Sequence, residues 1–176
     1  MDAGRSDPPI PAKHRMWLER KSERELVVTR TIDAPPHVVF EAWTKSELFQ
    51  RWWVPKSFGL TLLSCELDVR VGGAYRLVFR HPAAPEPMAF HGRYLDVTPP
   101  SRLVWTNDEA GGQGQITTLT FEERAGQTLL VVNDLYPSRE ALDEDIGSGS
   151  TSWNDETFNQ LDELLGEVPP SVCVRR

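Results

Sequence analysis

Apolar and polar side chains alternate along much of this 176-residue chain, which is the pattern of strands with one buried face. Seven runs rich in β-branched and aromatic residues share it: 26–32, 60–69, 75–80, 88–97, 103–106, 116–123 and 127–135. Short turns containing Gly or Pro, such as Gly72-Gly73 and Ala125-Gly126, separate many of these runs. The order predicts an antiparallel meander.

The apolar period changes from two to about 3.6 after the first of these runs. Val38, Val39, Ala42 and Trp43 give one side of a helix whose first turn holds two prolines, where a missing N–H does no harm. A second short helix is predicted from residue 45 or 46 to Trp52. Two short helices therefore interrupt the meander after its first strand.

A longer helix is predicted near the end of the chain. Its apolar side chains fall near one face: Trp153, Phe158, Leu161, Leu164 and Leu165. Asp155 and Glu156 suit the positive end of the helix dipole, and Pro169-Pro170 ends the helix.

These elements predict one domain over residues 24–167. Residues 1–23 are predicted to be a disordered or loosely docked tail, because their first part is polar and rich in proline. Trp17 and Leu18 are expected to dock on the domain or to begin a short helix. Residues 168–176 are predicted to be a C-terminal tail.

Charge and cysteine content narrow the range of partners. The net charge is −7, from 26 acidic and 19 basic residues, which argues against nucleic acid or an anionic membrane surface as the main partner. Cys65 and Cys173 lie too far apart in sequence to suggest a metal site or a disulfide framework. No secretory signal pattern and no membrane-spanning run is recognised, so we expect a cytoplasmic protein without membrane insertion.

Several short motifs follow one another in a recognisable order. They are Ala34-Pro-Pro-x-Val-Val-Phe40, Trp52-Trp53, Asp68-Val-Arg-Val-Gly-Gly73, Gly92-x-Tyr94 and Pro99-Pro100-x-Arg102-Leu103-Val104. Over residues 24–166 this order resembles the activator of heat-shock-protein-ninety ATPase homologue-like family, within the START/SRPBCC superfamily.

The resemblance implies an α+β helix-grip fold. In that fold a seven-stranded antiparallel sheet wraps around the long C-terminal helix, with an apolar cavity between them. Members often carry Gly-Trp at the start of this helix, whereas this chain has Ser152-Trp153 after a Gly/Ser-rich segment, 147–152. We therefore expect the helix to start late or to be broken there.

Aromatic side chains on the sheet and helices are the candidate ligand contacts of such a cavity. They are Trp52, Trp53, Phe58, Tyr75, Phe79, Tyr94, Trp105, Phe121, Trp153 and Phe158. No catalytic residue, metal ligand or cofactor is predicted. The run Asp143-Glu-Asp145 lacks the spacing of a calcium-binding loop.

Three functions are compatible with these patterns, and the first is favoured. The first is non-covalent, metal-free binding of a small apolar or aromatic molecule. The second is a polyketide cyclase/aromatase-like enzyme that uses Tyr75, Tyr94 or His91, although alternation places His91 and Tyr94 on opposite faces unless the strand bulges at Gly92. The third is a chaperone-associated or stress-response interaction module that uses the acidic C-terminal region.

Two further points stay open from the sequence. Asn133 and Asp134 interrupt an apolar strand, and such buried polar groups need a partner, for which a ligand is one candidate. The edges of an open sheet also allow a homodimer.

Overall fold

An eight-stranded antiparallel sheet dominates the computed structural model, which describes residues 16–108, 114–147 and 151–167, apart from the side chains of 151–154 and 167. The strands are β1 Met16–Arg20, β2 Glu25–Ile32, β3 Thr61–Leu67, β4 Ala74–Arg80, β5 Met88–Thr98, β6 Arg102–Asn107, β7 Gln115–Arg124 and β8 Gln127–Leu135. Their order across the sheet is β1-β2-β8-β7-β6-β5-β4-β3, so the chain from β3 to β8 is a meander and β2 pairs with β8.

The helices fall into two groups along the chain. The described helices are α1 Pro36–Thr44, α2 Ser46–Trp52, the short 3-10 turn Lys56–Phe58, α3 Arg139–Gly147 and α4 Thr151–Glu167. The first three connect β2 to β3, and α3 and α4 follow β8. The α+β class, the antiparallel sheet and the two short helices after the first predicted strand are confirmed, and the strand count of seven is corrected to eight.

The additional strand, β1, corrects the prediction of a tail for residues 16–20, whereas residues 1–15 and the predicted C-terminal tail, 168–176, lie outside the described residues. Met16 to Arg20 pair in antiparallel register with Arg30 to Leu26 of β2. The alternation of apolar and polar residues does not reveal this strand, because the strand buries little of its surface: Trp17 and Leu18 are 42% and 41% exposed. Backbone hydrogen bonding to β2, rather than burial, holds this edge strand in place.

Helix α3 was also not predicted. Its sequence is acidic, and its buried anchor is Leu142, which packs in a small cluster with Leu26 and Tyr136. One apolar anchor in nine residues gives too weak a period to recognise. Helix α3 ends at Gly147 and α4 begins at Thr151, and residues 148–150 lie outside the described structure, so a break or late start of the closing helix within 147–152 stays a prediction.

Helix α4 packs against the sheet and against α1 and α2. Phe158, Leu161, Leu164 and Leu165 are all buried in the main core. Removing one such side chain from water contributes about 1.5–3 kcal/mol. This apolar face is the predicted one and provides most of the attachment of the helix.

A buried ion pair adds a second attachment between α4 and the sheet. Arg30 of β2 is fully buried, and its Nη2 donates to Asp162 Oδ2 at 2.6 Å and to Asn159 Oδ1 at 2.9 Å. An arginine on the inward face of a strand is costly unless a carboxylate compensates its charge. Asp162 therefore fixes the position of α4 along β2.

Gln160 ties α4 to the chain that follows α2. Its Nε2 donates to the carbonyl oxygens of Trp52 and Val54, both at 2.8 Å, and its Oε1 accepts from the Lys56 amide at 2.9 Å. Since one side chain satisfies three backbone groups, this turn is held rigidly against the helix. Trp53 lies within the segment so held.

A glycine allows close contact between three strands. A Cβ at Gly92 of β5 would lie 1.8 Å from the carbonyl oxygen of Thr106 on β6 and 2.9 Å from the ring of Tyr75 on β4. Tyr75 is the register partner of Gly92, and its hydroxyl reaches Thr106 O at 2.8 Å. The absence of a side chain at Gly92 thus lets Tyr75 cross the strand.

Candidate functional site

A cavity of about 320 Å³ lies between the inward face of the sheet and the helices. Most of its wall is aromatic or aliphatic and consists of Trp43, Phe49, Trp53, Leu67, Tyr75, Leu77, Phe90, Tyr94, Trp105, Val132 and Phe158. The remaining wall is polar and consists of Asn107, Gln115, Thr117, Asp134, Tyr136 and Asp145. Its volume is at the small end of the range of ligand pockets in proteins.

Trp43 of α1 is at the centre of the aromatic part. Its ring centroid lies 4.6 Å from that of Trp52, 5.9 Å from that of Trp105 and 6.4 Å from that of Phe158. Edge and tilted contacts of this kind fix ring orientations. The aromatic wall therefore joins α1, β6 and α4 into one packed surface.

The indole N–H of Trp43 has no acceptor. The side chain is 8% exposed, and its Nε1 is buried without a hydrogen-bond partner among the residues that the structure describes. Leaving such a donor unsatisfied costs about 1–3 kcal/mol. Trp43 thus carries a buried donor that is unpaired among the described residues.

The polar part is a continuous chain of hydrogen bonds. The hydroxyl of Tyr75 lies 2.9 Å from Asn107 Oδ1, in addition to its contact with Thr106. Asn107 Nδ2 donates to Thr117 Oγ1 at 3.0 Å, and Thr117 Oγ1 donates to Asp134 Oδ1 at 2.6 Å. The chain connects β4, β6, β7 and β8.

Strand register explains why these side chains meet. Asn107 lies opposite Gln115, and Thr117 lies opposite Asp134. Asn107 is two residues from Trp105 and so shares its face, as Asp134 does with Val132. The polar residues therefore lie at the ends of the same inward-facing rows of side chains that form the apolar wall.

Asp134 has an unusual acidity. Burial raises the pKa of its carboxyl group from 3.8 to about 6, and the nearby charge of Asp145 acts in the same direction. Hydrogen bonds from Thr117 and Gln115 oppose the increase, because they favour the ionised form. Asp134 thus changes its charge close to neutral pH.

Helix α3 contributes to the polar end through Asp145. The Tyr136 hydroxyl donates a short hydrogen bond to Asp145 Oδ2. Burial, followed by the charges of Asp134 and Asp145, keeps the pKa of Tyr136 well above its ordinary value. Tyr136 therefore remains a neutral donor at physiological pH.

Five of the ten predicted contact residues line the cavity: Trp53, Tyr75, Tyr94, Trp105 and Phe158. Ligand contact by these residues remains a prediction. Trp153 lies in α4, but its side chain is outside the described part of the structure.

The other four predicted residues are not among the lining residues. Trp52 is a core residue whose Nε1 donates to Ala42 O at 2.9 Å. Phe79 packs on Phe90, with ring centroids 5.0 Å apart. Phe121 packs on Phe40 at 5.3 Å, and Phe58 lies half-buried in the 3-10 turn.

His91 does not join the site. It lies exposed on β5, whereas Tyr94 is buried, so strand alternation persists through Gly92 and the two side chains lie on opposite faces. The bulge in this strand occurs later, between Tyr94 and Asp96. The idea that His91 serves the cavity as an acid or base is therefore wrong. Burial also raises the pKa of Tyr94, which keeps its phenol neutral.

Sequence reasoning missed part of the aromatic wall and most of the polar end. Trp43, Phe49 and Phe90 resemble ordinary core residues in a sequence, since their period only shows that they face inward. Asn107 and Gln115 flank a connection and resemble strand ends. The available signal was their two-residue spacing from Trp105 and Thr117, which places them on the inward face.

Within 16–108, 114–147 and 151–167, no group of three or more His, Cys, Asp or Glu side chains is placed to hold a metal ion. No helix in these ranges is long and apolar enough to cross a membrane.

Solved structures share this architecture. A protein from Rhodobacter sphaeroides superimposes with a TM-score of 0.81 at 23% identity, over 88% of this chain and 100% of the other. A protein from Staphylococcus epidermidis gives 0.72 at 28% identity, over 86% and 94%. An AHSA1-like protein from Aeromonas hydrophila gives 0.63 at 17% identity, over 78% and 92%. These similarities establish the fold.

Sequence comparison agrees with the structural one. No curated protein matches the chain. The profile of the family described as activator of Hsp90 ATPase homolog 1-like protein, by contrast, matches residues 33–166. Because this match covers most of the sequence and the fold agrees with it, the chain belongs to the activator of Hsp90 ATPase homolog 1-like family.

Proposed function

We propose that the protein binds a small apolar or aromatic molecule in the cavity between the sheet and α4. The observation that carries this proposal is the cavity itself, about 320 Å³ in volume and walled by Trp43, Trp53, Trp105 and Phe158. Concave sites with apolar walls and a few polar groups are typical of small-molecule binding. No covalent step and no metal is part of the proposal.

Burial of the ligand supplies most of the affinity. Covering about 200 Å² of apolar ligand surface contributes about 5 kcal/mol, part of which is lost to the entropy of association. Gln160 and the Arg30–Asp162 pair hold the helix side of the cavity in place before binding. A preformed wall reduces the cost of ordering it.

A matched pair of variants tests the proposal. Val132 lines the cavity, whereas its neighbour Val131 lies on the opposite face of β8. The larger side chain of Val132→Phe therefore fills part of the cavity, and that of Val131→Phe does not. Titration with an environment-sensitive naphthyl probe should show saturable binding to the wild type and to Val131→Phe, and none to Val132→Phe. Equal binding to all three proteins would contradict the proposed site.

A specific observation favours a cyclase/aromatase-like enzyme as a second candidate. The hydrogen-bonded chain from Tyr75 to Asp134 ends in a carboxyl group whose pKa is about 6, which suits general acid–base chemistry. If the protein is an enzyme, Tyr75→Phe should abolish turnover of a substrate that it still binds. Undiminished turnover in this variant would exclude Tyr75 from the chemistry.

The other expectations remain predictions. A chaperone-associated role, a cytoplasmic location and a homodimer gain no further support from the described residues. In the described sheet, β1 and β3 are the two edge strands through which such a dimer would pair.

A further inference from the structure

The hydrogen bonds at the polar end of the cavity run in one direction. The backbone carbonyl of Gln115 can only accept, so the atom of Asn107 that faces it at 3.3 Å is the amide Nδ2. This nitrogen gives its second proton to Thr117 Oγ1 at 3.0 Å. Thr117 has one hydroxyl proton and gives it to Asp134. The protons of Asn107 and Thr117 are therefore all in use.

The Tyr75 end of the chain has more acceptors than protons. The Tyr75 hydroxyl carries one proton, and two acceptors lie within reach of it: Thr106 O at 2.8 Å and Asn107 Oδ1 at 2.9 Å. One proton does not satisfy both oxygens, so acceptor capacity remains on this pair. Asn107 lines the cavity and presents that capacity to a ligand. Tyr136, also in the lining, gives its hydroxyl proton to Asp145.

Asp134 adds a stronger acceptor to the same end. Two side-chain donors meet its carboxyl group, the Thr117 hydroxyl at 2.6 Å and one amide proton of Gln115. An ionised carboxyl group has about four lone-pair sites, so it has room for further donors. Asp134 lies two residues from Val132 on the inward row of β8, and both line the cavity. What this carboxylate lacks is a donor rather than another acceptor.

We propose that the polar end of the cavity selects a ligand with a hydrogen-bond donor, a hydroxyl or N–H group that donates to the Asp134 carboxylate or to Asn107 Oδ1. The aromatic or apolar body then packs on Trp105 and Phe158. This inference rests on the proposed binding function and adds the polar group of the ligand. A hydrogen bond to a charged acceptor is stronger than one between neutral groups. A ligand whose only polar atom is an ether oxygen meets acceptors at this end and gains no bond.

Two pairs of isosteric probes test the inference. 2-Naphthol is paired with 2-methylnaphthalene, and 2-methoxynaphthalene with 2-ethylnaphthalene, so that the members of each pair differ in one polar atom and hardly in size. Their dissociation constants are measured at pH 8 by displacement of an environment-sensitive naphthyl probe. At this pH Asp134 is ionised, whereas 2-naphthol is neutral because phenols titrate near pH 10.

The proteins compared are the wild type, Val132→Phe, Asp134→Asn and Asp155→Asn. Val132→Phe reports whether the probes occupy the cavity. Asp134→Asn replaces the carboxylate by an amide, which brings an N–H donor to the same place. Asp155→Asn is the matched control, since Asp155 is exposed on α4 and does not line the cavity.

The wild type and Asp155→Asn should discriminate within both pairs. 2-Naphthol should bind at least as tightly as 2-methylnaphthalene, because its hydroxyl exchanges water for an acceptor of the protein. 2-Methoxynaphthalene should bind about 5- to 100-fold more weakly than 2-ethylnaphthalene, which is the usual cost of burying an acceptor without a donor.

Asp134→Asn should change both ratios in opposite directions. The penalty of the ether should fall to about threefold or less, and 2-naphthol should lose about tenfold relative to its hydrocarbon partner. Because each ratio compares the same two probes, their different hydration cancels between variant and wild type. The wild-type ratios test the inference even if Asp134→Asn fails to fold.

Two different failures can be told apart. Suppose that the hydrocarbons bind to the wild type and not to Val132→Phe. If 2-naphthol then binds more weakly than 2-methylnaphthalene, or the ether is penalised less than fivefold, the donor inference is overturned while the binding function stands. If no probe binds, or if Val132→Phe binds all of them as the wild type does, the proposed function fails and the inference fails with it.

Discussion

Thr117 donates a hydrogen bond to Asp134 at 2.6 Å across the β7–β8 register, and this contact marks the polar end of an otherwise aromatic cavity. The carboxyl group keeps a neutral partner where a cation would be usual. It therefore keeps its proton up to a higher pH than an exposed aspartate does.

The raised pKa of Asp134 predicts how stability changes with pH. The folded protein retains this proton up to about pH 6, whereas the unfolded chain releases it near pH 3.8. Unfolding between these values releases a proton, so the free energy of unfolding falls as the pH rises through this window. A pKa difference of this size corresponds to at most about 3 kcal/mol of the free energy of unfolding.

Asp134→Asn should remove this component. We expect the variant to be more stable than the wild type at pH 8 by about 1–3 kcal/mol and nearly equal at pH 4, as measured by urea unfolding. Asp155→Asn should follow the wild type at both pH values. A variant that is destabilised equally at both would show that Asp134 is needed for packing instead.

The pair formed by Arg30 and Asp162 should be indispensable for folding. Asp162→Asn leaves the fully buried guanidinium without its counter-charge, which should cost about 3–5 kcal/mol. The exposed pair of Arg102 and Asp96 provides the control, and Asp96→Asn should cost less than about 1 kcal/mol. Urea unfolding of both variants measures the difference, and similar losses would contradict the role assigned to Arg30.

Gly92 should tolerate no side chain. Gly92→Ala places a methyl group against Thr106 O and the Tyr75 ring, so strands must separate, and we expect a loss of about 2 kcal/mol or more. Gly166 of α4 has no atom within 4 Å of a built Cβ, and Gly166→Ala should stabilise the protein by up to about 1 kcal/mol. Thermal unfolding that ranks the two variants in the opposite order would contradict this interpretation.

Tyr136 should govern the local stability of α3. The helix is attached by the Tyr136–Asp145 hydrogen bond and by the buried Leu142. Tyr136→Phe keeps the ring but removes the bond, so amide hydrogen exchange in α3 should become about tenfold faster, equivalent to about 1.4 kcal/mol. Exchange in β4, remote in the sheet order, should not change.

The sequence was informative where one physical rule determined the outcome. Alternation located seven strands, and the 3.6-residue period located α1 and the inward face of α4. Neither pattern revealed β1 or α3, because backbone pairing holds β1 and a single buried leucine anchors α3. In both cases the stabilising contact lies outside the element's own pattern.

The cavity was predictable only in part for a similar reason. Trp53, Tyr75 and Trp105 were identified because large aromatic residues alternate inward. Alternation does not separate a cavity wall from solid core, so Trp52 and Phe121 were grouped with them. The polar end depends on which residues face each other across β6, β7 and β8, and this register is not visible in the sequence.

Native mass spectrometry tests the central claim most directly. Wild-type protein and Val132→Phe, purified without denaturant, are incubated with an extract of cellular small molecules, and anything retained is released and identified. We expect one small molecule bound per 19.9-kDa chain of wild type, and none bound to the variant. A bare mass for both proteins, or equal retention by both, would contradict binding in this cavity.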